Sequence, residues 1–360
     1  MKVKDCYDTD SMLDNYLAQR YFLSWYFSKK CQYVFDVEPW NERAFAQLIA
    51  SGHSSLFKDI DSSLDDSLKL NSYSLAEFND SDYHTNNSYL YPVLLLKEYV
   101  NEHLKNDVFD FIVHGSISSL DYAVGWSDLD TLVIIKDEVL LNADASQSFR
   151  RKLLGAIDFL YKIDPLQHHE FIITSESAWV KSGYKELPLE ILKFSKSLLG
   201  QLTHDLAPAI RNENPLLHLA RINDLFSQSF KKGYLDHHKK DGIALREDFA
   251  DRNTMYQLKY FLAIIMTLPA YFMDAIGRPM YKGESFFEFK KIIDCDLELL
   301  DKASDIRRLW ALYEQHPYRG NEIPNWVVSI LGSGYFGRAH RLSSFLVDAA
   351  MRMKNFDYLV

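Results

Sequence analysis

The chain of 360 residues is 47% hydrophobic and 14% aromatic, with only 14 glycines and 10 prolines. That length holds two or three compact units or one large domain, and the composition argues against disorder and against a loop-rich all-β fold. Acidic residues outnumber basic ones 50 to 40, giving a formal net charge of -10, which weighs against a long DNA or RNA as the main partner, because such proteins grip phosphates with a basic face.

The opening segment, MKVKDCYDTDSMLDNY, has no apolar signal core. The three cysteines, Cys6, Cys31 and Cys295, show no Cys-x-x-Cys spacing. Disulfide scaffolding and structural zinc are therefore not expected, and reduced thiols in a cytoplasmic protein are. Residues 10–50 read as helices, with apolar residues at helical spacing behind acidic and serine starters. From Ser54 to Asn87 the composition shifts to Ser, Asp and Asn, which marks exposed connections. Residues 90–106 predict an amphipathic helix and 108–115 a strand. A polar turn follows, then a second strand over 127–136, a helix over 146–163 and a third strand over 168–174. After residue 185 helical patterns dominate. The longest apolar run, Tyr260 to Met273, carries Pro269 and is too short for a membrane span, so it predicts a buried helix and no membrane association. The fold class expected is α+β: a helical region over 1–87, a mixed α/β core over 88–185 and a helical domain over 186–360.

The second strand raises the chemical question. SDLDTLVIIK puts two aspartates, one residue apart, at the head of an apolar run. Residues two apart on a strand face the same side, so Asp128 and Asp130 project together with Leu129 opposite. Neighbouring like charges repel, and desolvation adds to the cost. A divalent cation between them removes that penalty, and two carboxylates suit Mg²⁺ or Mn²⁺ when phosphate oxygens complete the shell. Gly115 and Ser116, at the end of the preceding strand, supply the other half. Glycine lets backbone amides approach a phosphate and serine adds a hydroxyl donor.

Gly-Ser, eleven intervening residues (117–127) and Asp-Leu-Asp in a hydrophobic strand resemble the signature of the DNA polymerase beta-type nucleotidyltransferase superfamily. The matching segment is residues 108–136; extended to 174 the resemblance covers under a fifth of the chain. It implies a nucleotidyltransferase-like mixed sheet and transfer of a nucleoside monophosphate from an NTP, with ATP the first choice of donor, to a hydroxyl of a small molecule or protein. It also implies a third carboxylate on a later strand. Glu170 in HHEFIIT is the first candidate and Asp164, in the preceding loop, the second. Family sites more often set an Asp between hydrophobic residues, whereas Glu170 lies between His169 and Phe171. His168 and His169 are candidates for orienting an acceptor or acting as a base near neutral pH, beside the plainer reading of one buried and one solvent-facing imidazole.

Members of the superfamily often carry a helical domain with a lysine and a hydroxyl that reach the triphosphate. MYKGESFFEF is similar to that segment and makes Lys282 and Ser285 the corresponding residues, although Ser285 also suits a helix cap. DHHKKDG (236–242) reads as a solvated loop, since no second ligand group has suitable spacing. The alternative function is a catalytically weak nucleotide-binding or regulatory protein on the same fold.

Overall fold

A computed structural model describes residues 23–28, 42–62, 70–84, 88–164, 166–167, 169–182, 189–207, 215–235, 245–247, 254–313 and 322–356. Within them the fold is mixed α+β. The described residues of 1–122 and 127–212 form one compact unit, and those of 123–126 and 213–360 a second.

The first unit contains α1 (Glu42–Ser62), β1 (Asn71–Ser74), α2 (Asp80–His84) and α3 (Tyr91–Tyr99), which continues as a wider π-helical turn (Val100–Leu104). Next come β2 (Val108–His114), α4 (Gly115–Ser118), β3 (Asp130–Ile135), α5 (Asp137–Leu140), α6 (Ala143–Ile163), β4 (Ile172–Ser175) and α7 (Glu176–Ser182). A 3-10 turn (Leu189–Phe194), β5 (Lys196–Ser197) and β6 (Thr203–Leu206) complete it. The main sheet runs β4–β3–β2–β5. β3 is parallel to β4, and β2 is antiparallel to both β3 and β5.

Strand alternation explains the core. Phe111, Val113, Val133, Ile135 and Ile173 share one face with Val93, Leu96 and Val100 of α3 and its extension and with Phe149, Leu153, Ile157 and Leu160 of α6. Ile112, Leu132 and Ile134 face the other way, toward Trp179, Leu192, Leu206 and Leu75. Helix α6 starts where the Asn142 carboxamide oxygen accepts from the amides of Asp144 (3.0 Å) and Ala145 (3.1 Å). It ends at Asp164, held extended ahead of the next residue, a proline. Each of its large buried side chains stabilises by roughly 1.5–3 kcal/mol.

The boundaries at 87 and 185 fall inside this unit. Ala46 and Ile49 of α1 join the α6 side of the core. β1 pairs with β6 from Asn71–Leu206 to Ser74–Thr203, and Ala76 bridges to Lys196. The helical pattern read over 189–206 gives way to a 3-10 turn and two strands. The physical reason is non-local: Lys196 and Ser197 pair with Val113 and Ile112 of β2, and the chain turns at Gly200, whose φ is +81°. Buried polar groups secure the turn. The Asp110 carboxylate accepts from Ser197 Oγ (2.6 Å), His204 Nε2 (2.8 Å) and the Phe111 amide (2.7 Å), while Trp179 Nε1 donates to His204 Nδ1 (3.1 Å).

The second unit contains α8 (Pro215–Lys232), β7 (Tyr234–Leu235), β8 (Leu245–Arg246), α9 (Met255–Ala275), α10 (Lys282–Ile292), α11 (Glu298–Tyr313), α12 (Asn325–Leu331) and α13 (Tyr335–Phe356). The apolar run from Tyr260 lies inside α9, a helix long and apolar enough to cross a membrane by length and composition. In this fold α9 is central to the unit, with Phe261, Leu262, Ile265, Leu268 and Phe272 buried. Phe261 packs on Phe226, Tyr335 and Phe336, and Phe272 on Phe289. Trp126, in the 123–126 segment, lies edge-on to Trp310 at 5.4 Å.

Candidate metal centre

Ligand atoms of Asp128 and Asp130 lie within 4.8 Å of each other, and Asp130 lies against Gly115 of the Gly-Ser turn. β3 begins at Asp130, which sits opposite His114, the last residue of β2. Gly115 follows with φ +70°, a left-handed conformation that glycine adopts without steric cost. It lies so close to Asp130 that an added Cβ would stand 2.1 Å from Oδ2. Leu129 is wholly buried, while the Asp128 and Asp130 side chains keep 29% and 24% of their exposure, enough for an ion to reach them from solvent. Ser116 is half-buried in the first turn of α4. Its neighbour Ser118 donates Oγ to the Phe194 carbonyl at 2.5 Å, anchoring that turn to the 3-10 segment.

The third member of the cluster is His169. One ligand atom from each of Asp128, Asp130 and His169 lies within 4.8 Å of the others. His169 Nε2 is 3.0 Å from Asp130 Oδ1 and 3.8 Å from Asp128 Oδ2, and Nδ1 is 3.0 Å from the Glu170 carbonyl oxygen. Both ring nitrogens thus face acceptors, an arrangement that favours the doubly protonated ring when no metal is bound. Burial pulls its pKa down, but the hydrogen bond to Asp130 and the charges of Asp130 and Asp128 outweigh it and raise the value to about 9.

Glu170 is not brought to this cluster. The β3–β4 ladder starts only at Leu132–Ile172, so residues 169–171 lie outside it and strand alternation does not aim Glu170 at the aspartates. Its charge is instead felt by Tyr161 of α6, whose pKa is raised by burial first and then by Glu170 and Asp158. Asp164 is buried at the end of α6 and accepts from the Leu166 amide at 2.9 Å. His168 and residues 236–242 lie outside the described residues.

Lys282 and Ser285 belong to the second unit. Lys282 is the first residue of α10 and half-buried. Ser285 is fully buried, and its hydroxyl donates to the Lys282 carbonyl at 2.6 Å, within the helix's own first turn.

Three residues without a chemical signature complete the centre. His114 is buried, and its Nε2 has no hydrogen-bond partner. Burial holds His114 below the ordinary imidazole range against the pull of Asp130 and Asp128, and the His169 charge adds to the depression. Gln167 pairs through its carboxamide with the backbone of Leu129, and Tyr89 donates its hydroxyl to the Ser127 carbonyl at 2.7 Å. The only sequence signal for any of them is adjacency: His114 immediately precedes Gly115, while Gln167 and Tyr89 stand 38 residues from their partners. Comparison with protein-family models, curated proteins and solved structures returns no match.

Proposed function

We propose that the protein is a metal-dependent nucleotidyltransferase that moves a nucleoside monophosphate from an NTP to a hydroxyl of a small molecule or protein, on a nucleotidyltransferase-like fold. The observation that carries this reading is the contact of Gly115 with Asp130, which sets a glycine-serine turn directly against a paired carboxylate site. The donor set fits a divalent cation. Asp128 and Asp130 offer hard oxygen ligands, and His169, if it gives up its proton, adds a nitrogen that suits Mn²⁺ better than Mg²⁺. A bound cation would supply charge neutralisation at the transferred phosphate.

The chain's own residues do the rest. Backbone amides at Gly115 and Ser116 bind phosphate oxygens, because the absent Gly115 side chain lets the turn lie against the Asp130 carboxylate and so brings those amides beside the cation site. Asp128 and Asp130 fix where the positive charge sits, and the rigid sheet beneath them fixes the triphosphate relative to it. The acceptor oxygen then forms its bond to the α-phosphorus in line, the bond from α-phosphorus to the bridging oxygen breaks, pyrophosphate leaves, and the hydroxyl proton passes to water. Catalysis of this type is positioning and electrostatics more than covalent chemistry. The net charge of -10 favours a small-molecule or protein acceptor over a long nucleic acid.

One observation favours the second reading, a nucleotide-binding or regulatory protein with weak transfer. His169, and neither Glu170 nor Asp164, groups with Asp128 and Asp130, so the third group of the cluster is an imidazole where the resemblance implies a carboxylate. One experiment separates the two. The purified chain is incubated with each labelled NTP, Mg²⁺ or Mn²⁺ and a cell extract, and pyrophosphate and labelled product are followed. Turnover lost in Asp128→Ala with the fold intact supports the enzyme. Metal-dependent NTP binding without pyrophosphate release in any extract supports the binding protein, and no metal-dependent NTP binding refutes both.

A further inference from the structure

The two aspartates share a side only while the peptide between them holds its orientation, and the sheet does not hold it. Pairing of β3 with β2 begins at Asp130–His114, and pairing with β4 at Leu132–Ile172. Leu129 is therefore beyond both ladders, yet it is wholly buried, where an unpaired N–H and C=O are costly. Gln167 meets both needs. Its Oε1 accepts from the Leu129 amide at 3.1 Å, and its Nε2 donates to the Leu129 carbonyl at 2.9 Å. The carboxamide reproduces the two-point exchange of a strand neighbour for one residue, and that residue is the one separating the metal-ligand candidates. Tyr89 fixes the carbonyl of Ser127, next to Asp128. Two residues past Gln167, the same short segment delivers His169 to the carboxylates.

We infer that Gln167 is a positioning residue of the metal centre: by pairing with the Leu129 backbone it keeps Asp128 and Asp130 converged on one cation. The inference rests on the reading of those aspartates as metal ligands. The length and both ends of the amide are needed. Asparagine is one methylene short. Glutamate keeps an acceptor for the Leu129 amide but, when ionised, turns a second oxygen toward the Leu129 carbonyl. Methionine keeps the volume and loses both bonds.

The test is Mn²⁺ binding to the full chain without nucleotide, followed by electron paramagnetic resonance well below the melting temperature. Gln167→Met is expected to weaken Mn²⁺ binding roughly 10–100-fold, the range for groups that orient metal ligands. Gln167→Glu, which retains one of the two bonds, is expected to fall between it and the wild type, and reports if the methionine variant does not fold. His53→Asn serves as the control for simple destabilisation. His53 binds Asp137, beyond the opposite end of β3, at 2.9 Å, so this variant lowers the melting temperature and leaves Mn²⁺ affinity unchanged. Wild-type affinity in both folded Gln167 variants overturns the inference while leaving the metal site standing. A wild-type chain that binds no Mn²⁺, or an Asp128→Asn variant that binds as well as wild type, overturns the metal reading itself.

Discussion

Gly115→Ala separates the backbone role of the glycine from its contact with the metal centre. Alanine at φ +70° meets the left-handed penalty of about 1–2 kcal/mol. Its Cβ also enters space held by Asp130, 2.1 Å from Oδ2 and 3.1 Å from Cγ. Ordinary contact needs roughly 3.5 Å, so the carboxylate has to retreat by about an ångström or more. That motion exceeds the tolerance of about 0.2 Å in metal–ligand distances. It also strains the 3.0 Å contact with His169. Gly200→Ala is the matched control in the same unit, because φ is +81° and nothing lies within 4 Å of the added Cβ. In urea unfolding Gly200→Ala should lose the backbone penalty of about 1–2 kcal/mol, and Gly115→Ala that penalty plus the cost of displacing Asp130. Only Gly115→Ala should lose Mn²⁺ affinity, by roughly 10–100-fold in paramagnetic resonance titrations. Equal Mn²⁺ binding by the two variants would refute the argument, since Asp130 would then have room to step aside without leaving the site.

Further outcomes follow from the same geometry. His169, raised to about 9 in the folded chain from the ordinary 6.5, contributes stability that is complete below the unfolded value and lost as pH rises through the folded one. Its imidazole resonances should therefore titrate well above neutrality without metal, and Asp130→Asn should move that midpoint down; an unchanged midpoint would sink the assignment. Glu170→Gln should leave Mn²⁺ affinity unchanged whereas Asp128→Asn abolishes it, and isothermal titration distinguishes them. Asp110→Ala leaves Ser197, His204 and the Phe111 amide without their buried acceptor, and should destabilise the first unit by about 3–5 kcal/mol in urea unfolding. Leu120, a non-glycine residue at φ +61° and exposed, should gain about 1 kcal/mol on replacement by glycine, read as a rise in melting temperature.

The features legible in the sequence are those set by local periodicity. The apolar runs in VFDFIVH and DTLVII define two strands whose faces are fixed by the pleat, and the one-residue gap between Asp128 and Asp130 sets their common side. Helix α6 is equally local, with an asparagine cap, apolar residues three and four apart and a stop ahead of proline. Residues 196–206 carry a helical pattern that yields to pairing with β2 and β1, partners about 80 to 135 residues away in sequence, and no window of neighbouring residues contains that information.

The chain by itself thus determined that two carboxylates face together beside a glycine-serine turn, since successive strand residues must alternate and a turn must follow β2. Which group meets those carboxylates was decided only by the tertiary structure. His169 reaches them, and Glu170 does not, because parallel pairing of β4 with β3 starts at Ile172 and leaves the preceding residues free of strand alternation. The pairing of Gln167 with Leu129 is likewise a product of packing. A buried peptide beyond the ladder needs partners, and the fold brings a carboxamide of the right length to it.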